Sequence, residues 1–208
     1  MNLEILVAFV MASAALAISP GPDNIFVLAQ SVSYGRKYGL ATVVGLVSGC
    51  LVHTTLLAFG VSAIINKSDM LFWIIKLFGA AYLLYLAYKV FKSGGSIDVA
   101  ESSVSPKGLK DLFVTGFTMN VLNPKVTIFF LAFFPGFLFS ETLGTVWQFY
   151  ILGLLFMVVT FFIFGGIAVL AGSIAEYLKK HPNTGTFLKW LQIVVFVGVA
   201  AYLLLSDK

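Results

Sequence analysis

Residues 18–26 read ISPGPDNIF. Before them, Leu3–Ile18 carries only Glu4 and Ser13 among apolar and small residues, and after them Ile25–Val32 is nearly as apolar. Proline removes a backbone N–H and clashes with the preceding turn, so a helix meeting Pro20 and Pro22 must break. In lipid the freed carbonyls find no water, and the break is tolerated only inside protein or beside a wet cavity. A polar cluster near the middle of an apolar segment therefore faces inward.

The rest of the chain says what kind of interior that is. Of 208 residues, 60% are hydrophobic and 11% charged, where a soluble domain carries about 25% charged residues. Runs of about 20 residues with almost no charge recur, the length a helix needs to cross a bilayer. The expected fold is all-α: one polytopic membrane domain over residues 1–208. Glu4 stands where a signal peptide has a basic region, so the first segment reads as a retained membrane helix.

Several function classes drop out. The net charge is +4, but the basic residues sit at segment ends rather than among aromatics, which argues against nucleic acid. A single cysteine, Cys50, excludes an internal disulfide and a CxxC motif. Two histidines and no Cys/His cluster give no metal site, and there is no cofactor motif. No P-loop is present, so ATP is not the direct driver. No Ser/His/Asp arrangement lies within the apolar segments, so an enzyme is not expected.

Six apolar segments are legible, over 3–33, 40–65, 71–91, 109–139, 146–174 and 187–205. They form a first half over about 1–91 and a second over about 109–208. Between them the linker of about 92–108, KSGGSIDVAESSVSPKG, is too polar to bury a core of its own. Arg36, Lys37, Lys89, Lys92, Lys107, Lys110, Lys179, Lys180 and Lys189 fall on one side of the membrane; Lys67, Lys76 and Lys208 fall on the other. The positive-inside rule makes the first side cytoplasmic and puts both termini in the periplasm.

Three segments per half is an odd number, so the halves enter the membrane from opposite sides. Segments one and four are both long, and both are broken, by SPGPDN and by NVLNPK over 120–125. Paired interruptions in corresponding positions of inverted halves point to the binding site of a secondary transporter. After Pro22 a half-helix can start with Asp23 and Asn24 in its first turn, where their oxygens can cap free N–H groups. Left open, such an end offers N–H groups to an anion, and an amino-acid carboxylate fits. Asp23 and Lys125 would together cost roughly 5–7 kcal/mol facing lipid. They are expected to face each other, directly as a structural ion pair or through bound substrate.

Helical spacing adds two stripes. Gly116, Asn120, Asn123 and Thr127 share one face of segment four, and Gly45, Gly49 and His53 one face of segment two. Glycines at this spacing allow close helix approach. His53 then looks inward, either as a proton carrier or as a neutral ring bonded to a carbonyl. Tyr82 and Tyr85 read as packing, Trp73, Trp147, Tyr150 and Trp190 as interfacial anchors, and Lys76 as a side chain that snorkels outward.

SPGPDNIFVLAQSVSYGRKYGLATVVGLVSGCLVH and NVLNPKVTIFFLAFFPGF resemble the two signatures of the LysE/RhtB family of bacterial amino-acid exporters, and KLFGAAYLLYLAYKVFKS is also similar. The neutral amino acid and homoserine/threonine branch is the most similar. Gly136 departs from the family, where glutamine is common after the proline. The resemblance implies export of amino acids or close derivatives across the bacterial inner membrane. It places function at Pro20, Gly21, Pro22, Asp23, Asn24, Asn123, Pro124 and Lys125, to which the spacing adds His53 and Asn120. The proton gradient or the membrane potential would drive transport. Proton coupling and a homodimer stay open, as does a metal-cation exporter as the rival function. The few polar groups expected in the cavity favour a small neutral or hydroxylated substrate.

Overall fold

The structure, a computed structural model, describes residues 2–65, 69–93, 108–181 and 183–205. Lys67, Lys107, Lys208 and most of the linker lie outside the described residues, so the topology reading rests on the other charges. Among the described residues every regular element is helical.

Each helix boundary has a local cause. Helix α1 (Leu3–Ile18) begins where the Asn2 side chain accepts from the N–H groups of Glu4 and Ile5, and it stops short of Pro20. Helix α2 (Pro22–Tyr34) restarts with proline at its first position, where a missing N–H costs nothing. Gly35, at φ +96°, turns the chain into α3 (Arg36–Leu56). That helix runs through a π-helical stretch, Leu57–Val61, into α4 (Ser62–Ile65). Helix α5 (Asp69–Lys92) closes the first half.

The second half repeats the order. Helix α6 (Leu109–Val121) breaks into α7 (Pro124–Phe133), again with proline first, and α7 ends in a 3-10 turn at Phe134–Phe137. Helices α8 (Thr145–Val169), α9 (Ala171–Lys180) and α10 (Asn183–Leu205) follow. The α1/α2 pair bends by 59° and the α6/α7 pair by 52°. With each pair counted as one span, six helical segments are long and apolar enough to cross a membrane. The chain is a multi-pass membrane protein with its first and fourth segments broken.

Segment five is shorter than its apolar pattern predicts. Helix α8 stops at Val169, and Leu170 redirects the chain into α9, an amphipathic helix ending in Lys179 and Lys180. Ile174 and Leu178 of α9 line an apolar groove against α2 and α10. Ile174, half-buried there, prolonged the hydrophobic pattern past the real helix end.

Helix α3 is central, packing on α2, α6 and α8, while α5 pairs with α10 and α1 lies on α8. The two predicted stripes interlock at the α3–α6 contact. A methyl on Gly45 would strike the Phe113 carbonyl, one on Gly116 the Thr42 carbonyl, and one on Gly49 the Asn120 side chain. Lipid supplies no hydrophobic drive between helices, and close backbone approach takes its place. Gly79 against Ala132 and Gly153 against Thr54 do the same for α5–α7 and α8–α3.

Beyond the break, phenylalanines fill the space between α1, α7 and α8. Phe129 and Phe133 stack at 4.4 Å, Phe130 and Phe134 at 4.1 Å, and Phe9 meets Phe134 edge-on at 5.0 Å. On the other side of the break Val27, Val43, Leu46, Phe164 and Ala168 form a second cluster. The broken helices meet between these two plugs.

Candidate functional site

The breaks are built alike. Gly21 is the N-cap of α2 and Asn123 that of α7; proline follows each, then a charged residue, Asp23 or Lys125. The two ends cross over. Asn123 Nδ2 donates to Asp23 Oδ2 at 3.2 Å, so the carboxylate of one half-helix sits on the cap of the other. Lys125 Nζ lies where a methyl on Gly21 would meet it at 3.5 Å, so the ammonium of α7 sits beside the cap of α2. Lys125 also lies over the Phe196 ring, 5.0 Å from its centroid.

The caps differ in what they leave open. Asn123 Oδ1 accepts from the Lys125 N–H, closing part of the α7 end. Gly21 has no side chain, and no side chain caps α2. Of the two readings the sequence allows, Asp23 and Asn24 capping their own helix or leaving its end open, the structure has the second. Asn24 instead donates from Nδ2 to the Ala17 carbonyl at 2.7 Å, covering an orphan acceptor at the end of α1. The positive end of the α2 dipole and the Lys125 ammonium converge on one spot, which suits an anion.

Asp23 and Lys125 face one cavity without forming a contact pair. An ion pair does form at the surface, between Lys180 and Glu176 at 2.6 Å. Gly21, Pro22, Asp23, Asn24, Asn120, Asn123 and Lys125 all line this cavity. Its volume is about 40 Å³, room for roughly three waters at about 10–15 Å³ each. Phe129, Phe156 and Phe164 wall it.

The other predicted site residues fall outside it. Pro20 faces the neighbouring apolar groove, and Pro124 is exposed and shapes only the start of α7. His53 stands behind the wall: its Nε2 lies 3.1 Å from the Asn120 carbonyl and its ring 5.4 Å from that of Phe130. It thus touches both halves of the second broken segment. Tyr82 and Tyr85 contact each other at 6.2 Å, and Tyr85 is exposed. Lys76 does not snorkel outward; it is buried, its ammonium 4.7 Å from the Trp73 ring centroid. Trp73, Trp147 and Trp190 are exposed, as anchors should be.

One polar lining residue escaped the sequence reading. Thr160 of α8 is buried and lines the cavity. Its signal was its isolation, a lone hydroxyl in the apolar run from Ile151 to Phe164.

Six helical segments long and apolar enough to cross a membrane, two of them broken around a charged cavity, are an architecture suited to a membrane translocator. The chain belongs to the LysE type translocator family, whose match spans residues 14–207. It is 31% identical over 179 residues, 86% of each chain, to a homoserine/homoserine lactone efflux protein of Salmonella typhimurium. It is 28% identical over 196 residues to a leucine efflux protein of Klebsiella pneumoniae subsp. pneumoniae, covering 94% of this chain and 92% of that one. An uncharacterized membrane protein of Vibrio cholerae is 26% identical over 198 residues, 95% of each chain. No solved structure matches the chain.

Proposed function

We propose that this protein exports amino acids or close derivatives from the cytoplasm across the bacterial inner membrane as a secondary transporter. One observation carries the reading: Asp23 and Lys125 are held by opposite half-helices around a shared cavity, with no ion pair between them. Two intramembrane charges left apart suit a ligand that carries both signs. The substrate carboxylate lies against Lys125 and the open N-terminal end of α2, and its ammonium against Asp23. A metal cation fits less well, because the Lys125 ammonium lines the same cavity.

The repeated order of bent pair and two long helices supports two inverted three-helix repeats, with both termini periplasmic. Rocking of one repeat against the other alternates access to the site. A proton gradient or the membrane potential drives the cycle, the latter worth about 2.3 kcal/mol per charge per 100 mV. The relatives' printed names, homoserine and leucine efflux proteins, favour neutral amino acids as the first candidates.

The test is uptake of labelled amino acids into inverted membrane vesicles, with and without an imposed proton gradient. Saturable uptake of one or a few, lost in Asp23→Asn, is the expected result. Uptake of none by correctly inserted protein would overturn the reading.

A further inference from the structure

A second cavity adjoins the α1/α2 break. It is the apolar groove between α2, α9 and α10, about 470 Å³ in volume and walled by isoleucines and leucines of α2, α8, α9 and α10. Its polar side chains are Asn24, Ser173, Tyr177 and Thr184, and among the described residues no charged side chain lines it. The break itself is the partition between groove and charged cavity. Gly21, Pro22 and Asp23 line the cavity, Ile18, Pro20 and Ile25 line the groove, and Asn24 lines both. Asn24 is fixed in that place, because its Nδ2 donates to the Ala17 carbonyl at 2.7 Å and ties the start of α2 to the end of α1. Its Oδ1 and the Lys125 ammonium lie 3.9 and 3.5 Å from one point, the place a methyl on Gly21 would take. The groove and the spot that suits an anion therefore share a residue.

Resting on the transport reading above, we propose that this groove takes the side chain of the transported amino acid and selects uncharged aliphatic side chains of about leucine size. The carboxylate, ammonium and side chain of an amino acid all leave one carbon, so room for the side chain must adjoin the site that holds the two charges. The groove adjoins it at Asn24, and its walls suit hydrocarbon. In an apolar pocket one methylene changes kcat/KM by about 10–200-fold. Leucine gains that burial, while alanine, with a single methyl, has little to bury. The hydroxyl of homoserine gives up water on entering such a groove. Aspartate has nearly the shape of leucine but would carry a carboxylate in, where no lining side chain offers a counter-charge. An unpaired charge loses its water at far greater cost than a hydroxyl does.

The experiment measures uptake of labelled L-leucine, L-alanine, L-homoserine and L-aspartate into inverted vesicles. In wild type, KM for leucine should lie at least about tenfold below that for alanine or homoserine, and aspartate should show no saturable uptake. Ile25→Trp fills the groove beside Asn24, from a position already exposed. It should raise KM for leucine by about tenfold and leave that for alanine within about twofold. Ser173→Trp, on the exposed α9 side of the groove, is the second filling variant and should act in the same direction. A KM for alanine or homoserine at or below that for leucine overturns the proposal, as does an equal rise for leucine and alanine in Ile25→Trp. An unchanged leucine KM in both variants overturns it too, and leaves the groove to a lipid chain. Uptake of other amino acids but none of these four removes the groove's role alone. Uptake of no amino acid by folded wild-type protein sinks the exporter reading itself.

Discussion

Two charged side chains carry the proposed function of the cavity, and their energetics make it testable. Asp23 is 8% exposed and its one hydrogen bond comes from the neutral amide of Asn123. A charge at such depth costs about 2.5–3.5 kcal/mol when nothing cancels it. Asp23→Asn keeps an oxygen for Asn123 and removes that cost. The same change leaves the Lys125 ammonium without its counter-charge, so stability should move by no more than about 1 kcal/mol, while transport falls at least about a hundredfold. A larger fall in stability would mean that Asp23 serves the fold. Lys125→Met should likewise abolish transport without unfolding the protein.

His53 belongs to the same scale. A carbonyl only accepts, so Nε2 carries the proton that bonds Asn120. The ring ties the end of α6 to α7 through Phe130, which makes a positioning role sufficient for it. His53→Gln, which keeps a donor, should retain transport within about threefold, and His53→Ala should lose about tenfold. Were His53 the carrier of a coupling proton, Gln would be as inactive as Ala. The sequence placed His53, Asn120 and the glycines on one stripe of each helix because spacing is a local property; that the two stripes meet is a finding of the structure. Thr160 lay beyond it, since which face of a uniformly apolar helix turns inward is decided by partners far away in the chain.

The helices carry the next predictions. At Gly45 and Gly116 the obstacle to a side chain is the backbone carbonyl of the neighbouring helix, which no rotamer change relieves. Gly45→Leu should abolish accumulation of folded protein. Gly60, with nothing within 4 Å, is the control, and Gly60→Ala should leave both level and transport unchanged. Gln148 does comparable work for the loop before α8. It accepts from the N–H groups of Phe139 and Ser140 at 2.8 and 3.0 Å and donates to the carbonyls of Ser140 and Leu143 at 2.8 and 2.6 Å. Asn2 donates to the Phe139 carbonyl, so the start of α1 hangs on the same clamp. Gln148→Leu should speed proteolysis between Ser140 and Gly144 by about tenfold. Prolines marked both breaks in the sequence, because a missing N–H acts where it stands. The end of α8 was not marked: hydrophobicity alone does not separate a lipid-facing turn from the groove-facing side of α9.

At the scale of the whole molecule, the cavity of about 40 Å³ lies between two apolar clusters, the phenylalanines of α1, α7 and α8 on one side and Val27, Val43, Leu46, Phe164 and Ala168 on the other. The proposed alternating access would open each cluster in turn toward a defined side of the membrane. Which side is which follows from charge. The α2–α3 turn carries Arg36 and Lys37, α9 ends in Lys179 and Lys180, and the loop between α7 and α8 carries Glu141 and no lysine. That loop should therefore be periplasmic and the α2–α3 turn cytoplasmic. The native thiol does not interfere, since Cys50 is wholly buried. Glu141→Cys should then react with a membrane-impermeant maleimide in spheroplasts. Lys37→Cys, exposed at the opposite end, should react only in inverted vesicles. With that orientation α2 opens toward the cytoplasm and the phenylalanine plug of α1, α7 and α8 is the outer gate. The reverse labelling would make it the inner gate, exchange the roles of the two plugs, and place both termini in the cytoplasm.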